Sequence, residues 1–452
     1  MMNYKSIGLA LASLVSVAVA GQEATSEKRS FSRAEAEMYA LENSYDMQRY
    51  SLELDRAKAV IFENVATGLP QVTASASFTD NIQIQQQVIE FNGQPTLLAF
   101  GVRYGAMGTL QVDQLIFDGS YIVALLATEV VKETAQNSYE KSAIDVREQV
   151  AQAYHLVLTT ERSLQIIRDN LTFIRQSLFE TRELFNTGMV EKQDVDQLDL
   201  LVTNLESNED YLERQAEVAR TILKLRMGIP VTESVTLTDN IETLVISAED
   251  ATELLSTTFD PTTHIDYRTL ETGIHGQELT LRNEQVQWLP KLNGYYSYNH
   301  GVQSSSFDGL TNFDSPNNFN FPYQSWGLSL RWSLFQGGRR VARVQEAKVA
   351  LEQLEVQEAQ LSDMLKLQYQ TAKAEYAFAV NNFVAQRKNM EIAKDIRDRT
   401  AIKFREGISS SLEFTQAENQ YQDALRSMIN AAQTALDKRV ALEKVLGNFN
   451  LN

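Results

Sequence analysis

The chain sets out one plan twice. Leu69-Pro70 recurs as Leu289-Pro290 at an offset of 220, and Leu115-Ile116-Phe117-Asp118-Gly119 recurs as Ser333-Leu334-Phe335-Gln336-Gly337 at 218. Phe185-Asn186-Thr187-Gly188 and Leu225-Arg226-Met227-Gly228 recur as Phe404-Arg405-Glu406-Gly407 and Lys444-Val445-Leu446-Gly447, both at 219. Four landmarks that hold nearly one spacing mark an internal duplication, and a duplicated unit is a supersecondary piece set beside its copy. The two repeats span 21–230 and 231–452, and any function belongs to what they build together.

Within each repeat the period of hydrophobicity changes. Residues 31–66 read as helical. Past Leu69-Pro70, Val72, Ala74, Ala76 and Phe78 alternate with Thr73, Ser75, Ser77 and Thr79. This period of two predicts a strand with one apolar and one polar face. A second strand is expected at about 104–117, and the stretch between, with Asn92-Gly93 and Pro95, reads as a loop. After Gly119 the period becomes helical. Tyr139, Ala143, Val146, Val150, Ala153 and Val157 open a seam of alternating four- and three-residue steps that continues to Phe185. No proline or glycine interrupts residues 120–187, which predicts a helix on the order of 100 Å long. Gly188 ends it, and a second helix runs from about 190 to 227 before Gly228 and Pro230.

The second repeat follows suit. A helix is expected at about 264–287, strands at about 291–300 and 324–335, and helices at about 340–405 and 410–446. Residues 301–323 read as a Ser/Asn/Phe-rich loop.

The N-terminus has the form of an export signal at 1–20. Lys5 precedes the apolar run Ile7 to Val19, and Ala18-Val19-Ala20 is a cleavage pattern that leaves Gly21 first. The chain contains no cysteine, so disulfides and a cysteine-linked lipid are excluded. A net charge of −18 argues against a nucleic-acid surface, which needs a basic stripe. No later segment approaches the roughly 18 uninterrupted apolar residues of a membrane helix, so a membrane crossing would have to be made by strands.

Four strands cannot close a barrel, and left open they expose unpaired edges. Copies of the chain arranged cyclically would close it. One strand face carries Val72, Phe78, Tyr296, Tyr298, Trp326, Leu328, Leu330 and Trp332, and the other carries Ser, Thr, Asn, Asp and Arg. A soluble β-domain could show the same alternation. The export signal and the long helices growing out of the strands favour an outer-membrane barrel, greasy outside and wet within.

With these features the chain resembles the TolC family of outer-membrane efflux channels. The resemblance is carried by the two Leu-Pro strand entries, by Leu334-Phe335-Gln336-Gly337-Gly338, and by two hairpin tips. The tips are Phe185-Asn186-Thr187-Gly188 with Asp194-Val195, and Phe404-Arg405-Glu406-Gly407 running through Ile408 to Ala417. It covers about residues 31–447. It implies a mainly α protein with a transmembrane β part. Three copies would give a twelve-stranded barrel in the outer membrane and a periplasmic α-barrel of coiled-coil helices. It further implies a passive exit duct of a tripartite efflux or secretion system, with a periplasmic membrane-fusion adaptor and an inner-membrane transporter as partners. No cofactor is expected.

The resemblance also implies site residues. Glu413, six positions after Gly407, would ring the periplasmic aperture with Gln416, where the family often has a second acid. Asp194 and Gln197 stand at the matching places of the first hairpin. Adaptor docking falls to Gly188, Met189, Val190, Gly407, Ile408, Ser409, Ser410 and Ser411. A capping role for Glu413 is compatible with this, because Ser410-Ser411-Leu412-Glu413 is a capping box.

Catalysis has little in its favour. His155, His264, His275 and His300 are scattered, with no metalloprotease spacing, phosphate loop or nucleophile elbow. The rival reading is a periplasmic coiled-coil scaffold or adaptor without a pore. An adaptor should carry a compact β-rich segment between the halves of one hairpin, and none is visible in the sequence.

Overall fold

The computed structural model describes residues 29–91, 93–245, 254–312 and 314–447. The export signal read at 1–20 lies outside them.

The first repeat opens with β1 (Arg29–Phe31), α1 (Arg33–Asn43) and α2 (Tyr45–Ala66). The single helical stretch expected at 31–66 is broken at Ser44, whose backbone is extended and whose hydroxyl accepts from the Met47 N–H. A side-chain acceptor of this kind starts a new helix. Then come β2 (Gln71–Asp80), β3 (Gln86–Phe91), β4 (Gln94–Ala99) and β5 (Tyr104–Phe117). The loop expected between β2 and β5 is instead a β-hairpin, β3 against β4. Asn-Gly with Gly93 at φ 76° is the hairpin turn signal itself, and β3 lacks the clean alternation that a buried face would impose.

α3 (Gly119–Asn186) has 68 residues and α4 (Lys192–Met227) has 36. β6 (Val235–Leu237) pairs in parallel with β1, and α5 (Ile241–Val245) follows.

In the second repeat come α6 (Ile265–Val286), β7 (Lys291–Ser304), a single turn α7 (Asp308–Thr311), β8 (Asn318–Arg331), α8 (Arg339–Arg405, 67 residues) and α9 (Ser411–Val445, 35 residues). The expected 301–323 loop is shorter than its composition suggested, because β7 reaches Ser304 and β8 begins at Asn318. The last strand stops at Arg331 rather than 335. Residues 318–323 still lie in register with β7, whereas residues past 331 have no such partner among the described residues.

The four long strands form one antiparallel sheet in the order β2-β5-β7-β8. Its register places Val72, Val112, Tyr296 and Trp326 on a single rung. Ala74, Leu110 and Tyr298 share the next rung of that face, and Leu328 and Leu330 continue it. The opposite face carries Thr109, Asn299 and Ser297, joined by bonds from Thr109 Oγ1 to Asn299 Oδ1 (2.8 Å) and from Asn299 Nδ2 to Ser297 Oγ (2.8 Å). Among the described residues the outer edges of β2 and β8 are unpaired.

Each of the four long strands is joined to a helix by a short connection, and α2, α3, α6 and α8 pack side by side in the order of their strands. Farther from the sheet the row becomes α4-α3-α9-α8. Between the tiers sits a girdle that the sequence did not announce. Phe31, Ala36, Ala40 and Met47 pack against Val146, Tyr154, Leu223 and Met227. The Tyr154 hydroxyl donates to the Phe31 carbonyl (3.0 Å) and to Asp239 (2.8 Å). Burial, together with the Asp239 carboxylate, raises the pKa of this phenol. No helix among the described residues is long and apolar enough to cross a membrane.

Candidate functional site

At the ends far from the sheet the two long hairpins turn in the same way. Gly188 (φ 77°) and Gly407 (φ 71°) occupy the left-handed region, where a Cβ is unfavourable. Gly188 N donates to Phe185 O (2.9 Å) and Met189 N to Leu184 O (2.9 Å). Gly407 N donates to Phe404 O (3.0 Å) and Ile408 N to Lys403 O (2.8 Å). These paired bonds close the helix C-termini and leave the next side chain projecting. Met189 is 75% exposed and Ile408 76%. Val190 and Ser409 are half-buried, Ser410 is exposed and Ser411 is buried.

The residues after each turn cap the returning helix. The Glu191 N–H donates to Asp194 Oδ2 (3.1 Å). In the second hairpin the Glu413 N–H donates to Ser410 Oγ (3.2 Å), while Glu413 Oε2 accepts from the Ser410 N–H (3.1 Å) and from the Ser409 hydroxyl. Bonds from the Ser409 hydroxyl and then the Ser410 N–H hold the Glu413 carboxyl below its ordinary pKa. Glu413 and Gln416 are both solvent-exposed, and Asp194 and Gln197 are half-buried.

The hairpins are tied together near their tips. Ser411 Oγ donates to Gln197 Oε1 at 2.9 Å, joining α9 to α4. Phe414 stacks on Phe404 and meets Phe173 edge-on. Among the described residues, Glu413 and Asp194 bond only within their own tips.

Deeper along the bundle lies a polar collar missed in the sequence. Glu418 is fully buried, and its Oε1 accepts from Asn170 Nδ2 on α3 and from Gln422 Nε2 (2.7 Å). Arg397 on α8 donates to Asn170 Oδ1 (3.3 Å) and pairs with Asp398 (2.8 Å). Its guanidinium lies between the Phe173 and Tyr421 rings, 4.7 and 4.6 Å from their centroids. The signal was present. The apolar seam Tyr376, Ala379, Phe383, Met390, Ala393 steps next onto Arg397, and a cation on a buried seam needs a partner.

Strands with one apolar face, growing into helices that end in exposed turns, define the subunit of a channel that stands in an outer membrane and reaches into the compartment below. The chain belongs to the outer membrane efflux protein family, whose sequence model matches residues 39–228 and 280–448. Among solved structures it is similar to CusC, at 16% identity and TM-score 0.69, over 92% of this chain and 91% of that one. The outer membrane protein VceC of Vibrio cholerae matches at 15% identity and TM-score 0.65, over 92% and 96% of the two chains. The open-state MtrE outer membrane channel of Neisseria gonorrhoeae matches at 16% and 0.65, over 92% and 88%. No curated protein matches it in sequence.

Proposed function

We propose that three copies of this chain assemble into the exit duct of a tripartite efflux or secretion system. The observation that carries the proposal is the open sheet. Among the described residues β2 and β8 each present an unpaired edge, and four strands enclose nothing. Pairing β8 of one copy with β2 of the next, three times around, gives twelve strands without an edge. Val72, Phe78, Tyr296, Tyr298, Trp326, Leu328, Leu330 and Trp332 then meet lipid. The Ser297–Thr109–Asn299 face lines a wet passage, and α3 and α8 wall the tunnel below.

Residues 1–20 direct export in this reading. The tips at Gly188–Val190 and Gly407–Ser411 receive a periplasmic adaptor, which couples the duct to an inner-membrane transporter. Exposed Met189 and Ile408 supply the apolar contact. The duct itself is a passive conduit. Glu413 rings the periplasmic aperture, with Gln416, Asp194 and Gln197 around it, and attracts cations.

The test is biochemical. The protein should leave membranes only with detergent, run as a heat-modifiable trimer and conduct ions in planar bilayers. A monomer in plain buffer without conductance refutes the duct. Val190→Asp with Ile408→Asp should abolish efflux while the trimer persists, and retained efflux refutes the docking surface.

A further inference from the structure

We infer that neighbouring copies join through an apolar seam in which Leu225 on α4 of one copy packs against Met364 and Leu367 on α8 of the next. The inference rests on the trimeric reading and adds the register in which the copies meet.

The argument begins inside one chain. The buried seam of α3 recurs on α8 at an offset of 219. Val146, Ala153, Val157, Leu164 and Ile174 correspond to Leu365, Ala372, Tyr376, Phe383 and Ala393, and all ten are buried. α4 and α9 share that offset through Gly228 and Gly447. The junction of α3 with α9 inside a chain is therefore a template. Moved along by one repeat, it becomes a junction of α8 with the α4 of another copy. Those two helices are the free ends of the row α4-α3-α9-α8.

The template is held by Lys444, whose Nζ reaches Asp145 Oδ1 (2.8 Å) and Glu148 Oε2 (2.6 Å). At the offset of 219 these three positions become Leu225, Met364 and Leu367. An ion triad inside the chain is replaced by three apolar side chains that are 57%, 52% and 62% exposed in one copy. Asp437, which faces His155 at 3.3 Å, likewise becomes Val218, 57% exposed. Large side chains left bare on two helices, at the positions the template pairs, need each other as cover.

The chain has no cysteine, so introduced thiols are unambiguous. The double variant L225C/L367C in the detergent-extracted protein, treated with a short bis-maleimide, should give a ladder to covalent trimer on denaturing gels. K444C/E148C should cross-link only within a chain and leave the monomer band. A second measurement uses charge. L225K should abolish the heat-modifiable trimer, and L225K/L367E should restore it, because the Lys444–Glu148 pair shows that this geometry holds an ion pair. An intact trimer in which L225C/L367C yields only monomer, or in which L225K changes nothing, overturns the register while leaving the duct standing. Absence of any trimer in the unmodified protein overturns both.

Discussion

Arg397 on α8 and Glu418 on α9 stand 3.7 Å apart inside the bundle, where Glu418 is fully buried and Arg397 nearly so. Asn170 bridges them from α3, so this cluster is one of the ties between the second hairpin and the first. At the equivalent places of the first repeat stand Leu178 and Asp199, so the fastening exists on one side of the duplication only. Breaking a buried ion pair leaves the remaining charge without compensation. Glu418→Ala should therefore cost about 3 kcal/mol, the lower part of the range for such losses, because Asp398 still holds Arg397. Glu418→Gln should cost less, since an amide oxygen can still accept from Asn170. Thermal melting of the detergent-extracted protein measures both. Equal melting of the Ala variant and the parent would show that the collar does not hold the hairpins.

The exposed carboxylate at the tip gives a second expectation, on conductance. Ser409 and Ser410 bind the charged form of Glu413, so its folded pKa lies below the ordinary 4.5. A depressed folded value means that the cap contribution is complete above pH 4.5 and is lost as pH falls through the lowered value. Cation selectivity in planar bilayers should accordingly persist on acidification to pH 4.5 and fade only below it. Glu413→Gln should lower selectivity at neutral pH, and Glu413→Ala should also alter conductance. Unchanged currents in both variants would leave Glu413 as a cap alone.

What was legible in the sequence followed from period and punctuation. The 68-residue α3 shows as a seam without glycine or proline, and Gly188, Gly228 and Gly407 each stand at the end of a helix with positive φ. The strand faces were legible because one side must be apolar. The girdle around Phe31, Tyr154 and Asp239 was not, since β1 and β6 are three residues each and leave no periodic trace. The β3–β4 hairpin escaped for a related reason. Val88 and Leu97 are both 66% exposed, and with no buried face the alternation that marks a strand is not required. The collar was half legible. Arg397 falls on the seam, but its partner Asn170 lies 227 residues away, and no local spacing connects them.

Two glycines with the same backbone conformation should respond differently to alanine. Gly188 has φ 77° and open space where a Cβ would go, so Gly188→Ala carries only the left-handed penalty of about 1–2 kcal/mol. Gly228 has φ 75°, and its Cβ would collide with the Asn43 carbonyl and approach Ser44 Cα to 3.0 Å. Those are backbone atoms at the α1–α2 corner and have nowhere to turn. Gly228→Ala should therefore lower the melting temperature well beyond Gly188→Ala, and a circular dichroism melt of the two variants side by side reads the difference. Comparable melting would mean that the corner yields and that the girdle is softer than its packing suggests.

His155 gives the acid limb of stability. Its ring is fully buried on α3, with Nδ1 3.3 Å from Asp437 Oδ1 and Nε2 without a hydrogen bond. Burial lowers its pKa below 6.5, with Arg33 acting in the same direction, and the hydrogen bond and charge of Asp437 only partly oppose them. The folded state therefore keeps this imidazole neutral at a pH where the unfolded chain protonates it. With the folded pKa depressed, the stability is complete above pH 6.5 and declines as pH falls from there toward the lowered value. His155→Gln removes the titration while keeping a polar side chain opposite Asp437. The parent should lose melting temperature more steeply than this variant as pH falls below 6.5, the ordinary value from which its pKa is lowered. Parallel slopes would mean that Asp437 holds the ring protonated in the folded protein and that burial does not decide its charge.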